Sequence, residues 1–527
     1  EEEELDIISK SFRKGKAFGW KDDLDRDLQN LFWSYHRNTM EKLGYDRFGG
    51  INRLEPDFDY QAMRLLGMDL PKVAEKRKVL IEANKLLMHQ NDGVKRYLIE
   101  LLKALHPVSK NEDSRWQIDV LLKGRVHPLS EFGESLFDAS KNENHIDKFS
   151  FVKKPIFATY KATMAFIKSL IPAKHVDTAT KYYKKGLMKI SLKFSQLAVA
   201  VSYVKEWVKL GKEGAKENLD KQRAGVELEK YDLIHVPLPQ HFEPFKKINA
   251  NFLVTIHDLT HRLFSEYHTK VNVQVAEGGL EYFLKQKADF LCISEASKHD
   301  LAKQCDLDPK ELYTVYEAAD SQKFKPIIYK EIKRDTRWKY DIPDQPFLFT
   351  LSTLEPRKNL INTIKAFDLL LDENPHLNCN LVIGGKNGWK SKELIQLRHQ
   401  KNIVFTGFVD ENDLPMLYNE AEALCYVSFY EGFGLPPLEA MSCRTPVIYG
   451  NNSSMKELFE GFALPADPAD LHSIKNQMKR ILTDQKLKEE LKEKSLERSF
   501  DFSWRQTAID TLAVYDDVIS KNAKNLS

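Results

Sequence analysis

The sequence predicts an α/β protein of two units, each a parallel sheet with helices on both faces. Three observations predict it. Short apolar runs alternate with stretches of helical period, as strand–helix–strand crossovers require. The 527 residues are too many for one hydrophobic core. A stretch from Lys323-Phe-Lys-Pro326 to Pro346, broken by Pro326, Pro343 and Pro346, separates the runs into two groups and reads as a linker.

Residues 1–77 are polar, helix-like and rich in aromatics (Trp20, Phe32, Trp33, Tyr35, Tyr45, Phe48), and form a helical N-terminal extension without recognisable chemistry. A first unit is expected over 78–325. Its strands are Lys78-Val-Leu-Ile-Glu-Ala83, Trp116–Leu122, Tyr231–Val236, Asn251–Asp258 and Ala288–Glu295. Asn91–Leu105 reads as a loop opening a helix, with apolar residues at helical spacing. Residues 126–230 interrupt the strand series as a helical insertion. The second unit, over 326–504, starts with the strand Phe347–Leu351, has a strand ahead of Gly384, and continues with Ala423-Leu-Cys-Tyr-Val-Ser-Phe429. A last helix is expected at about 505–522, within a terminal segment 505–527.

Hydrophobic content of 42% and charge of 30% are those of an ordinary soluble protein. The five cysteines are scattered without a C-x-x-C pair, which fits a reducing compartment and neither a disulfide framework nor a zinc site. No apolar run is long enough to span a bilayer, and Glu1-Glu-Glu-Glu4 is the opposite of a signal peptide. The expectation is a cytoplasmic protein. The net charge of +2 hides an uneven distribution. Residues 151–212 carry thirteen lysines against Asp177 and Glu206, and Leu187, Ile190, Phe194, Leu197, Val201, Val204 and Val208 form one apolar stripe. A basic amphipathic helix suits an anionic membrane surface, so peripheral attachment to the inner face of the cell membrane is expected. A helix packed on the domain with a solvated lysine face accounts slightly better for the stripe alone, but not for the concentration of lysines. No nucleic-acid partner is expected.

The densest chemistry lies in Phe429-Tyr-Glu-Gly-Phe-Gly-Leu-Pro-Pro-Leu-Glu-Ala-Met441. Glu431 ends a strand, where open α/β sheets bind ligands. Pro436-Pro437 suits the first turn of a helix, which is also where Glu439 is expected. Backbone N–H groups around Phe433 to Leu435 are placed to hold an anion. Arg357 and Lys358 follow the strand Phe347–Leu351 at a helix start. Two cations there conflict with the helix dipole unless an anion is present.

This pattern resembles the double-glutamate motif of the family-4 retaining glycosyltransferases of GT-B fold. The resemblance extends through Ser352-Thr-Leu-Glu-Pro-Arg-Lys-Asn359, Leu381-Val-Ile-Gly-Gly385, Phe405-Thr-Gly-Phe-Val409 and Phe502-Ser-Trp504. It implies two Rossmann-like domains facing a cleft, with the terminal helix crossing back to the first. It also implies a nucleotide-sugar donor, with Arg357 and Lys358 on the diphosphate, Glu439 on the ribose and Glu431 on the transferred sugar. Gly93, Gly385, Val409, Gly432, Phe433, Gly434 and Leu435 line the donor by resemblance, and His257 contacts the donor sugar or its phosphate from the first domain. The Leu354-Glu-Pro-Arg-Lys-Asn359 form of the motif looks most like mannosyltransferase-type relatives. GDP-mannose is favoured over UDP-hexoses, with a saccharide or lipid-linked acceptor in bacterial surface-polysaccharide or lipopolysaccharide assembly. No metal is expected: His257 and His261 lack a His-Glu-x-x-His pattern, and Asp306-Leu-Asp308 reads as a capping loop. The other reading is an inactive homologue serving as a membrane-bound scaffold. Two cations and two carboxylates kept for one cleft argue against it. Where many relatives have Asn-Gly-Val-Asp, this chain has Glu317-Ala-Ala-Asp320.

Overall fold

The computed structural model describes residues 26–42, 76–88, 92–132, 228–327, 336–351, 355–385 and 398–526. The basic stretch 151–212 lies outside them, as do Lys386 and residues 352–354.

Seven strands form the first sheet: β1 (Arg77–Glu82), β2 (Trp116–Leu122), β3 (Arg125–Pro128), β4 (Leu233–Val236), β5 (Phe252–Ile256), β6 (Asp289–Cys292) and β7 (Tyr313–Thr314). Their order is β3-β2-β1-β4-β5-β6-β7, and every pairing is parallel except β2 with β3. The central strands are buried on both faces, which explains why they read as unbroken apolar runs such as Phe252-Leu-Val-Thr-Ile256. Helix α1 (Arg26–Lys42) precedes the sheet. Helix α2 (Gly93–Lys110) starts where Asp92 accepts a hydrogen bond from the Lys95 N–H at 3.0 Å, and it turns Tyr97, Leu98, Leu101, Leu102 and Leu105 into the core. Helices α3 (Lys270–Lys285) and α4 (Glu295–Cys305) begin at Thr269 and Ser294, whose hydroxyls cap them.

The second sheet holds β8 (Phe347–Leu351), β9 (Asn380–Gly384), β10 (Ile403–Gly407), β11 (Ala423–Tyr426), β12 (Val447–Gly450) and β13 (Leu464–Ala466). Its order is β10-β9-β8-β11-β12-β13, parallel throughout. Around it lie α5 (Leu360–Glu373), α6 (Leu414–Glu420), α7 (Leu435–Ser442), α8 (Ser453–Phe459), α9 (Leu471–Thr483) and α10 (Gln485–Ser499). In each sheet the chain adds strands outward on one side and then returns to the other side of its first strand. The switch points fall between β1 and β4 and between β8 and β11. Open sheets bind ligands beyond the carboxyl ends of their strands at such points.

Helix α11 (Trp504–Leu526) returns to the first sheet, longer than the expected 505–522. Tyr515 is fully buried against Trp116 and His235, and Lys521 pairs with Asp289 at 3.1 Å. Helix α1 docks at the other end of the crossing. Phe32, Trp33 and Met40 pack with Phe500, Arg26 pairs with Glu497 at 2.8 Å, and the Tyr35 hydroxyl donates to the Pro326 carbonyl at 2.6 Å.

Two expectations are corrected. The expected insertion begins with more sheet, because Arg125–Pro128 is strand β3, paired antiparallel to β2. A tight turn carrying Lys123 and Gly124, both at positive φ, makes that hairpin. The linker is not wholly irregular either: residues 336–339 are helical, and the Arg337 guanidinium holds the Pro343 and Gln345 carbonyls at 2.8 and 3.0 Å.

Candidate active site

Arg357 and Lys358 sit in the turn Pro356–Lys358 that follows β8. The next residue, Asn359, is left-handed at φ 58°, and its amide donates to the carbonyls of Val427 (3.0 Å) and Pro468 (2.7 Å). This strained, anchored residue turns the two cations toward β11. The Lys358 ammonium lies 2.7 and 2.8 Å from the two Glu431 carboxylate oxygens and 2.8 Å from the Tyr426 hydroxyl. Arg357 contributes Nη1 to Glu431 at 3.1 Å, Nε to Glu355 at 2.9 Å, and a further bond to the Tyr430 carbonyl. The whole group spans the switch point of the second sheet. Burial alone would raise the pKa of Glu431, but Lys358 and Arg357 overcome it and hold the carboxyl at about 2. Burial disfavours both cations, yet Glu431 keeps them firmly protonated.

Glu439 is the fifth residue of α7, in the second turn of the helix and not the first, because Leu435 already opens it at Gly434. Its side chain is 1% exposed. One carboxylate oxygen accepts from the Tyr418 hydroxyl at 3.0 Å, and the other is paired with Arg96 of α2, which reaches over from the first sheet. Arg96 also lies 3.5 Å from Glu411, itself 3.3 Å from Lys323. Burial raises the pKa of Glu439, and Arg96 and Tyr418 oppose the rise. Arg96 escaped the sequence reading. Its only signal is a charged residue in the first turn of a helix that opens on Gly93.

The glycines of the motif serve close approach. A Cβ on Gly432 would land on the His257 carbonyl oxygen. The Ser294 hydroxyl donates to the Gly432 carbonyl at 2.7 Å, and Ser297 reaches the His257 carbonyl at 3.1 Å. Gly434 has φ 121°, with Met455 and Phe459 against it. Phe433 and Leu435 bury their side chains, so they offer the cleft only backbone. Nearby, Glu457 of α8 accepts the N–H groups of Glu295 and Ala296 at 2.9 Å each, capping α4, and the Tyr430 hydroxyl donates to Asp300 at 2.6 Å.

His257 follows β5 and faces this seam, but its ring nitrogens point into the first sheet's own half. Nε2 donates to the Pro237 carbonyl at 3.1 Å, and Nδ1 lies 3.4 Å from Glu317, the residue at the variant turn. Tyr97 packs edge-on against the ring. Its hydroxyl lies 3.3 Å from Thr255, which is bonded at 2.7 Å to the buried His235. His235 in turn meets the Tyr515 hydroxyl of α11 at 2.7 Å. Burial, then the neighbouring His257, holds His235 down at about 3.

Gly93 is the first residue of α2, with open space where a side chain would stand. Gly385 (φ 145°) follows β9 and donates its N–H to the Gly407 carbonyl at 2.8 Å, which brings it beside the loop that carries buried Val409. The structure therefore gathers Arg357, Lys358 and Glu431 into one cluster and Gly432 and His257 into a second contact. Glu439 stands apart on Arg96 and Tyr418. His261 lies 3.4 Å from Glu277, and Asp308 caps the turn Pro309–Glu311. Among the described residues, no three His, Cys, Asp or Glu side chains gather as metal ligands, and no helix is long and apolar enough to cross a membrane.

The family described as glycosyl transferases group 1 matches residues 332–498. O-antigen chain mannosyltransferase B of Escherichia coli is 32% identical over 281 residues, a match covering 53% of this chain and 72% of the relative. The serotype-specific mannosyltransferase WbdA of Escherichia coli is 29% identical over 240 residues, but the match spans only 29% of that longer protein. Among solved structures, sucrose-phosphate synthase from Thermosynechococcus elongatus superposes with a TM-score of 0.51 at 17% identity, over 85% of this chain and all of that one. Anabaena HepE in complex with UDP and glucose gives 0.54 at 14% identity, over 84% of this chain and all of that one. These likenesses show the fold, GT-B.

Proposed function

The chain belongs to the glycosyl transferases of group 1, and from that premise we propose that it moves mannose from GDP-mannose to a saccharide or lipid-linked acceptor, with retention at the anomeric carbon, during surface-polysaccharide assembly. The observation that carries this reading is the convergence of Arg357 and Lys358 on one carboxylate at the switch point of the second sheet. Breaking the bond between sugar and diphosphate piles negative charge on the leaving group, and fixed cations stabilise such charge best in a dry site. Arg357 grips phosphate oxygens with its planar fork, and Lys358 adds a point charge. An entering diphosphate competes with Glu431 for both. Glu431, released from part of its pairing, then accepts from the sugar hydroxyls, and Glu439 from the ribose. Gly93, Gly432 to Leu435, Gly385 and Val409 supply backbone to the phosphates and base, and His257 closes the sugar pocket. The mannosyltransferase names of the relatives favour mannose.

Nucleotide release from a panel of GDP- and UDP-sugars tests the proposal, with wild type set against Glu431→Ala. Release from GDP-mannose alone, lost in the variant and unaffected by a chelator, is the expected result. Release from a UDP-sugar instead would replace the donor, and release unchanged in the variant would remove Glu431 from the site. Nuclear magnetic resonance of the first-formed product reads the anomer.

A further inference from the structure

We infer that His241, oriented by Glu82, binds a hydroxyl of the acceptor sugar at the switch point of the first sheet. The inference rests on the reading of the chain as a sugar transferase and names a residue on the side of the cleft that the donor leaves free. Glu82 is the last residue of β1, and the turn Pro239–His241 follows β4. They flank the first sheet's switch point as Arg357, Lys358 and Glu431 flank the second's, and the same rule assigns a ligand to both.

The pair is built for direction. Glu82 is fully buried, yet it ends its strand with both carboxylate oxygens engaged. One accepts the Asn84 N–H at 2.8 Å and the other meets His241 Nδ1 at 2.7 Å. A carboxylate only accepts, so the proton of that bond sits on Nδ1. Nε2, on the opposite edge of the ring, bonds to nothing in the described chain, although the side chain is only 13% exposed. The neighbouring Gln240 has its Oε1 buried and unpartnered as well. A histidine packed into a core bonds both of its ring nitrogens. His235, six residues earlier, shows that pattern, with both nitrogens bonded.

The turn is also held still. A Cβ on Gly279 of α3 would strike the Pro239 carbonyl, so the helix presses directly on the turn's backbone. The carbonyl of Pro237, four residues before His241, is the one that anchors His257. One loop therefore carries both His241 and the carbonyl that holds His257. An oriented ring nitrogen with an open lone pair matches a sugar hydroxyl, which donates to it.

The test uses the full chain with GDP-mannose as donor, methyl α-mannoside and its monodeoxy analogues as acceptors, and GDP release as the readout. Wild type should lose about tenfold in kcat/KM on one deoxy analogue, the effect of one lost hydrogen bond. His241→Ala should treat that analogue and the parent alike, with the loss in acceptor KM and with GDP affinity unchanged. Glutamine places a polar atom near the position of Nε2 and asparagine near that of Nδ1. His241→Gln should therefore restore discrimination and His241→Asn should not. Rescue by asparagine alone would reduce His241 to a structural partner of Glu82 and overturn the inference. So would wild-type discrimination in every variant, or a wild type indifferent to every analogue. A wild type that releases no GDP with any mannoside removes the mannosyl-transfer reading itself, and this inference with it.

Discussion

At the switch point of the second sheet, Arg357 and Lys358 reach from β8 to Glu431 beyond β11; at that of the first, Glu82 of β1 reaches to His241 beyond β4. The two arrangements share a topology and differ in chemistry. The second sheet holds two cations against a carboxylate whose acidity they enforce. The first holds directional hydrogen bonds, through His241 and through the chain from His235 by Thr255 to Tyr97. A diphosphate is recognised by charge, and in a buried site charge is strong without fine geometry. A sugar hydroxyl is recognised by direction, which a locked ring supplies. The fold thus offers the same crevice twice, and on the proposed function the side chains divide the substrates between them.

The hardest test of this division is Lys358→Met. Turnover should fall by about 10²–10³-fold, the scale for losing one preorganised stabiliser of developing charge, while circular dichroism stays unchanged. A variant that turns over normally would leave the second switch point without its charge-based role.

Next in size is Arg96→Met. Arg96 is the side chain that ties the first sheet's α2 to the second sheet's Glu439. Its loss leaves a buried carboxylate with Tyr418 alone, and an uncompensated buried charge costs about 3 kcal/mol. Urea unfolding should show that loss, and adding Glu439→Gln should recover most of it. Equal losses in the single and double variants would mean that the pair does not couple the two halves.

Gly432→Ala probes the seam itself. The added methyl meets the His257 carbonyl, and forcing backbone apart in a packed contact costs about 1–3 kcal/mol. Small-angle scattering should find a more open molecule. A compact and stable variant would mean that the halves do not need this contact.

The second sheet's site was far more legible in sequence than the first's, and for a physical reason. Glu431, the glycines and Glu439 lie within one loop and one helix, so local spacing reveals them. Strands buried on both faces announced themselves as apolar runs, and Trp116–Leu122 and Phe347–Leu351 have the expected limits. Arg96 lies 343 residues from Glu439, and His241 lies 159 from Glu82. No spacing rule joins residues that far apart, because only the order of strands brings them together. His257 was legible as the residue ending a strand, yet its ring turns to Pro237 and Glu317, which depends on a loop the sequence does not mark. The placement of Glu439 in the first helical turn went astray because Pro436-Pro437 was read as the helix start, whereas Leu435 precedes them.

The finest comparison is by pH. His235 is held at about 3, below its ordinary 6.5, so the unfolded chain takes up a proton that the native state refuses. Stability contributed on that side falls as pH drops from 6.5 toward 3. Glu431 is held at about 2 against an ordinary 4.5, so its contribution is intact above 4.5 and is lost only as pH falls toward 2. Each group adds a slope of about 1.4 kcal/mol per pH unit within its own window. Urea midpoints measured between pH 7 and 3 should therefore lose part of their slope above pH 4.5 in His235→Gln, whereas Glu431→Gln should flatten only the region below it. If Glu431→Gln also flattens the region above pH 4.5, where only His235 should titrate, the two halves are not electrostatically separate, and the division between a charged and a hydrogen-bonded switch point fails.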